Sequence, residues 1–134
     1  MLKVVFDTNI LISALHFKSS IPRKLLETAY GNQFQIVISR QILAELRGVL
    51  RVKFGYETYK LNLLEELLIS ICKLVDPKNR IRVVKDDSDD DKIIECAIEG
   101  NAKNVISGDK HLLKIRNFRG IDIITAREFW EIIT

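Results

Sequence analysis

Two features of the 134-residue sequence predict an α/β fold built on a parallel sheet. Short, continuously apolar runs, Val4-Val5-Phe6 first among them, have the character of strands covered on both faces. Between these runs lie segments whose apolar residues recur at helical spacing. Strands alternating with helices imply right-handed crossovers and a single parallel sheet.

Leu2–Phe6 is the first expected strand. Asp7 or Thr8 can cap the helix after it, whose apolar positions are Ile10, Leu11, Ala14, Leu15 and Phe17. Ser19-Ser20-Ile21-Pro22 interrupts that helix, and Pro22 suits the first turn of a second one ending near Tyr30. Phe34–Ile38 is the second strand, and Ser39 caps a third helix reaching about Lys53. A long fourth helix is expected from Tyr56 to Leu74, with leucines and isoleucines spread over far more than one face. Such a surplus implies deep burial or a face reserved for a partner, and a small domain favours the partner.

Asp76-Pro77-Lys78-Asn79 reads as a turn and Ile81–Val84 as the third strand. The acidic block Asp86-Asp87-Ser88-Asp89-Asp90-Asp91 leads into a helix that Gly100 ends. Asn104–Ile106 is the fourth strand, followed by the turn Ser107-Gly108-Asp109 and a short helix, Lys110–Ile115. Ile121–Ile124 is the fifth strand, and Thr125 caps the last helix. No repeat, linker or low-complexity tail interrupts the order, so residues 1–134 are expected to form a single domain.

Composition narrows the class. A chain that is 47% hydrophobic and 29% charged is an ordinary globular protein. The balance of 21 basic to 18 acidic residues is too even to mark a nucleic-acid binder by charge alone. Cys72 and Cys96 are isolated and read as core thiols in a reducing compartment. The N-terminal apolar run is too short for a signal peptide, and nothing approaches the roughly 20 apolar residues of a membrane span. A cytoplasmic protein with no membrane contact is the expectation.

Four acids carry the functional signal. Asp7 follows strand one, Glu45 lies one to two turns into the helix after strand two, the acidic block precedes the helix after strand three, and Asp109 follows strand four. All strand-to-helix junctions of a parallel sheet lie on one edge, where open α/β sheets place their ligands. Each acid has a plainer alternative. Asp7 and Asp109 are suitable helix caps, and the block can serve a helix dipole or a Ser88-x-x-Asp91 capping box.

Helical phase, at about 100° per residue, separates the candidates. Glu45 falls at the edge of the arc formed by Ile42, Leu43, Leu46, Val49 and Leu50. Asp90 projects near the middle of the arc of Ile93, Ile94, Ala97 and Ile98, while Asp91 lies at its margin as a supporting acid. Four converging carboxylates need a counter-charge, and oxygen donors without Cys or His favour Mg²⁺ or Mn²⁺. Such a site suits hydrolysis of a phosphodiester.

In order along the chain, Val5-Phe6-Asp7-Thr8-Asn9, Ser39-x5-Glu45-Leu46, Asp87-Ser88-Asp89-Asp90-x3-Ile94-x2-Ala97 and Val105-Ile106-Ser107-Gly108-Asp109 resemble a PIN-domain ribonuclease of the VapC-like, toxin–antitoxin branch. The resemblance implies a three-layer α/β/α sandwich with a five-stranded parallel sheet and an RNase site using Mg²⁺ or Mn²⁺. It makes Asp7, Glu45, Asp90 and Asp109 the catalytic and metal-binding acids, with Asn9 and Ser107 supporting them; beside it, Thr8-Asn9 reads as orienting the first junction and its ligand. The family usually has Thr at the position of Ser107 and often Pro at that of Ser88. It also implies a homodimer and inhibition by a small antitoxin protein.

Arg47 and Lys110 are candidate RNA contacts, with Arg23, Lys24, Arg40, Arg51 and Lys53 and the basic run to Arg119 as weaker ones. The competing reading is a PIN-like module that binds RNA or protein without catalysis. A receiver-type phosphoacceptor would need a lysine ending strand five, where Thr125-Ala126-Arg127 stands. A haloacid-dehalogenase-like phosphatase would need an aspartate at Asn9.

Overall fold

In the computed structural model, residues 1–78 and 90–134 are described. Strands β1 (Lys3–Phe6), β2 (Gln35–Ser39), β3 (Cys72–Val75), β4 (Asn104–Ile106), β5 (Asn117–Phe118) and β6 (Ile121–Ile124) form one sheet in the order β3-β2-β1-β4-β6-β5. Every pairing is parallel except β5 with β6. The helices are α1 (Thr8–His16), α2 (Ile21–Tyr30), α3 (Arg40–Phe54), α4 (Thr58–Ile71), α5 (Asp91–Glu99), α6 (Lys110–Ile115) and α7 (Ala126–Ile133). None of them is long and apolar enough to cross a membrane.

The central strands are apolar on both sides because helices cover both faces. Val5 is in register with Val37 of β2 and Val105 of β4, and all three are buried. On that face Gly100, the C-cap of α5, comes so close that an added Cβ would lie 2.4 Å from Cγ1 of Val37. Neighbouring side chains alternate to the other face. There Phe6 lies 6.3 Å from Phe34, which meets Phe129 of α7 edge-on at 5.1 Å. The α/β class and the helix-flanked sheet expected from the sequence are present.

The sheet departs from five parallel strands in two places. The expected fourth helix, Tyr56–Leu74, stops at Ile71, and Cys72–Val75 turns into β3. Its register, Ile36↔Cys72 through Ser39↔Val75, gives the outer edge of β2 its hydrogen-bonding partner. Pairing overrides a leucine-rich periodicity that four more residues only weakly extend. The third strand expected at Ile81–Val84 lies outside the described residues.

The second departure is an antiparallel edge. Asn117–Phe118 folds back on Ile121–Ile124 through Arg119 and Gly120, with φ of 52° and 85°. Two left-handed residues make the tight turn whose twist matches a hairpin, and glycine at the second favours it.

The leucine-rich α4 buries Leu61 and Leu68 but leaves Leu63 60% and Ile69 46% exposed. This is the surplus expected from its sequence.

Candidate active site

The topology fixes where the site can be. From β1 the chain adds β2 and β3 on one side, then crosses to place β4 on the other. The crevice beyond the C-terminal ends of β1 and β4 is therefore the switch point of the sheet. Asp7 follows β1 there, and Ser107 and Asp109 follow β4. The backbone N–H of Asp7 donates to the Ile106 carbonyl at 3.0 Å, locking the two strand ends together.

Asp7 is both a cap and a wall of the cleft. Its Oδ1 accepts the Ile10 N–H at 2.9 Å, as an N-cap does, and its Oδ2 accepts the Ser107 hydroxyl. Capping and a place in the acid cluster are thus not alternatives at this residue. The same holds for Asp109, which caps α6 by accepting the His111 N–H at 2.7 Å. Ser107, fully buried, accepts the Asp109 N–H at 3.0 Å and so links the two acids. Burial pushes the Asp7 carboxyl above its ordinary range, against its two hydrogen bonds and with added repulsion from Asp109 and Glu45.

Glu45 reaches the same cleft from α3, the helix that Ser39 caps by accepting the Ile42 N–H at 3.2 Å. Its Oε1 accepts the Thr8 hydroxyl, and its Oε2 pairs with the Lys92 ammonium at 2.8 Å. Burial pushes this carboxyl up, but Lys92 and Thr8 outweigh it and hold the group below its usual value. Asp90 stands immediately before α5 and keeps its Oδ2 buried.

Asp7, Thr8, Asn9, Glu45, Asp90 and Asp109 line one cleft of about 250 Å³ with Val49, Lys92 and Ile93. Six residues singled out in the sequence are therefore brought together. Ser107 stands behind them as the link already described. Asp91 is buried and is not among the lining residues. Arg47 faces α4, where it pairs with Glu65 at 3.1 Å, and Lys110 is exposed beside Asp109. Asp86, Asp87, Ser88 and Asp89 lie outside the described residues.

Two residues escaped the sequence reading. Lys92 was overshadowed by the acids beside it, although a cation in the first turn of a helix is electrostatically out of place and could have marked it. His111 follows Asp109 by two residues, and its ligand atom lies within 4.8 Å of those of Asp90 and Asp109. Its Nδ1 is 3.7 Å from Asp109 Oδ1. The donor set is thus not restricted to oxygen. Carboxylates suit Mg²⁺ or Mn²⁺, and one imidazole among them would also admit a later ion such as Fe²⁺ or Zn²⁺.

An α/β sheet with acids gathered at its switch point is the frame of the chain, and residues 3–111 match the PIN domain. The chain belongs to the PIN domain family, whose members are generally nucleases. It is 35% identical over 121 residues to the uncharacterized protein MJ1680 of Methanocaldococcus jannaschii, covering 87% of this chain and 76% of that protein. Among solved structures it is similar to VapBC2 from Rickettsia felis bound to a DNA fragment from its promoter, with a TM-score of 0.61 and 16% identity over 91% of this chain and 97% of that one. FitAcB from Neisseria gonorrhoeae is similar at a TM-score of 0.60 and 15% identity, over 92% and 98% of the two chains. PAE2754 from Pyrobaculum aerophilum follows at 0.54 and 12%, over 98% and 89%. At these identities the structural likeness is one of fold, and it agrees with the VapC-like resemblance read from the sequence.

Proposed function

We propose that the protein is a divalent-metal-dependent ribonuclease that hydrolyses RNA phosphodiester bonds and acts as the toxin of a toxin–antitoxin pair. The observation that carries this reading is the meeting of Asp7, Glu45, Asp90 and Asp109 in one cleft. Carboxylates so placed fit a hard dication, with His111 at the rim as a further donor. Asp90 and Asp109 would hold Mg²⁺ or Mn²⁺, Asp7 would complete the set, and Glu45 would act as ligand or water activator.

Bound there, such an ion supplies an activated water and neutralises charge on the scissile phosphate. The chain's own residues do the rest. Thr8 and Lys92 hold the two oxygens of the Glu45 carboxylate in place at the cleft. Ser107 fixes the Asp7 carboxylate and the Asp109 backbone in one frame. Exposed Asn9 and Lys110 flank the acids, where they can meet an incoming phosphate.

The similarity to chains of VapBC2 and FitAcB supports a small antitoxin as partner. The exposed apolar residues of α4 support a homodimer. The test is cleavage of a mixed RNA substrate in Mg²⁺ or Mn²⁺, with EDTA and Asp90→Asn as controls. Activity is expected only with metal and with Asp90 intact. Cleavage that survives both controls would overturn the metal mechanism, and an inert protein that still binds RNA would establish the non-catalytic reading instead.

A further inference from the structure

We propose that Lys92 is the resident counter-cation of the acid cleft, competing with a divalent ion for Glu45 and so setting the affinity of the site for metal. This deepens the metal-site reading above and rests on it. The ammonium of Lys92 lies 2.8 Å from Glu45 Oε2, and its side chain is only 16% exposed although it belongs to a lysine. Thr8 already occupies Oε1, so both oxygens of Glu45 are engaged. A dication can use this carboxylate only by displacing Lys92 or by tolerating a positive charge against it.

Helix electrostatics do not account for the position. Lys92 is the second residue of α5, where the exposed N–H groups make the positive end of the dipole and disfavour a cation. The acids opposite do account for it. Among the described residues lining the cleft, Lys92 is the one cation set against Asp7, Glu45, Asp90 and Asp109. Without it, four carboxylates would face one another with no opposite charge among the described lining residues. A lysine suits this role better than an arginine, because its compact charge rides on a flexible stem and can swing aside.

The experiment is Mn²⁺ binding by isothermal titration calorimetry to the full chain, comparing the wild type with Lys92→Met, Lys92→Arg and Asp90→Asn. Lys92→Met should bind Mn²⁺ about fivefold to twentyfold more tightly, the effect of removing one positive charge from beside a dication in a partly solvated site. Lys92→Arg, which keeps the charge on a head less free to swing aside, should bind no more tightly than the wild type. Unchanged or weaker binding by Lys92→Met, with binding to the wild type abolished by Asp90→Asn, overturns the role of Lys92 and leaves the metal site standing. No Mn²⁺ binding by the wild type or by Lys92→Met means that the metal site itself is misassigned. Should Lys92→Met lose its helical circular dichroism, Lys92→Gln provides the same comparison. Failure of both to fold makes the ion pair a structural one and overturns the proposal.

Discussion

The Ser107 hydroxyl donates to the Asp7 carboxylate across 100 positions of sequence, and the same oxygen accepts the Asp109 N–H. One buried atom therefore ties the junction after β1 to the junction after β4. Ser107→Ala would leave Asp7 Oδ2 and the Asp109 amide without this partner at the buried floor that Asp7 and Ser107 form. Such a loss costs about 1–3 kcal/mol. Chemical denaturation should show that drop, together with reduced nuclease activity. A stability within experimental error of the wild type would mean that the hydroxyl is not holding the two acids.

Asp7 combines a helix cap with a raised carboxyl pKa, and the two can be separated by substitution. Asparagine caps as well as aspartate does and carries no charge. A carboxyl whose folded pKa lies above its unfolded value contributes stability fully below the unfolded value, and that stability is lost as pH rises through the folded one. The metal-free wild type should therefore be less stable than Asp7→Asn at neutral pH, and the difference should vanish below about pH 3.8, the ordinary value of the group. Asp7→Ala, which removes the cap, should lose about 1 kcal/mol relative to Asp7→Asn. Both variants should lack nuclease activity. Thermal melts at several pH values in EDTA provide the check, and a destabilised Asp7→Asn at pH 7 would count against the burial effect.

Much of this site was legible because the topology of a parallel sheet converts chain order into proximity. Asp7, Glu45 and Asp109 could be assigned to one edge from the strands that precede them. Helical phase set Asp90 apart from Asp91, and of these two it is Asp90 that lines the cleft. What stayed hidden depended on partners distant in sequence. Cys72–Val75 continues a helical pattern and becomes a strand only because β2 has an open edge to fill. Lys92 looks like a solvated charge until Glu45, on another helix, is placed against it. His111 reads as an ordinary helix residue until α6 brings it beside Asp90. The hairpin at Arg119-Gly120 was missed because arginine rarely adopts a positive φ.

Gly100 tests the packing of α5, the helix that Asp90 and Lys92 begin. Its φ of −88° is open to any residue, so the requirement for glycine is one of space alone. A Cβ there would overlap Val37, which is itself fully buried at the centre of the sheet. Gly100→Ala should cost about 1–3 kcal/mol, as overpacking does. Trimming the neighbour in Gly100→Ala/Val37→Ala should recover part of that loss, whereas independent sites would simply add. A double variant less stable than the sum of its parts would show that the contact is not the cause.

The exposed face of α4 makes a prediction about assembly. Leu63 and Ile69 contribute little to the core, since both project from the side of the helix opposite the buried Leu61 and Leu68 or at its margin. Leu63→Glu and Ile69→Glu should therefore change the unfolding free energy by no more than about 0.5 kcal/mol, the range of ordinary surface substitutions. If two copies associate through this helix, the doubly substituted chain should run as a monomer by light scattering at concentrations where the wild type is a dimer. Charge placed in the apolar centre of an interface is seldom tolerated, because each glutamate would have to be desolvated without a partner. Dimers that persist in the substituted chain would assign the interface to another surface and leave α4 free for a different protein.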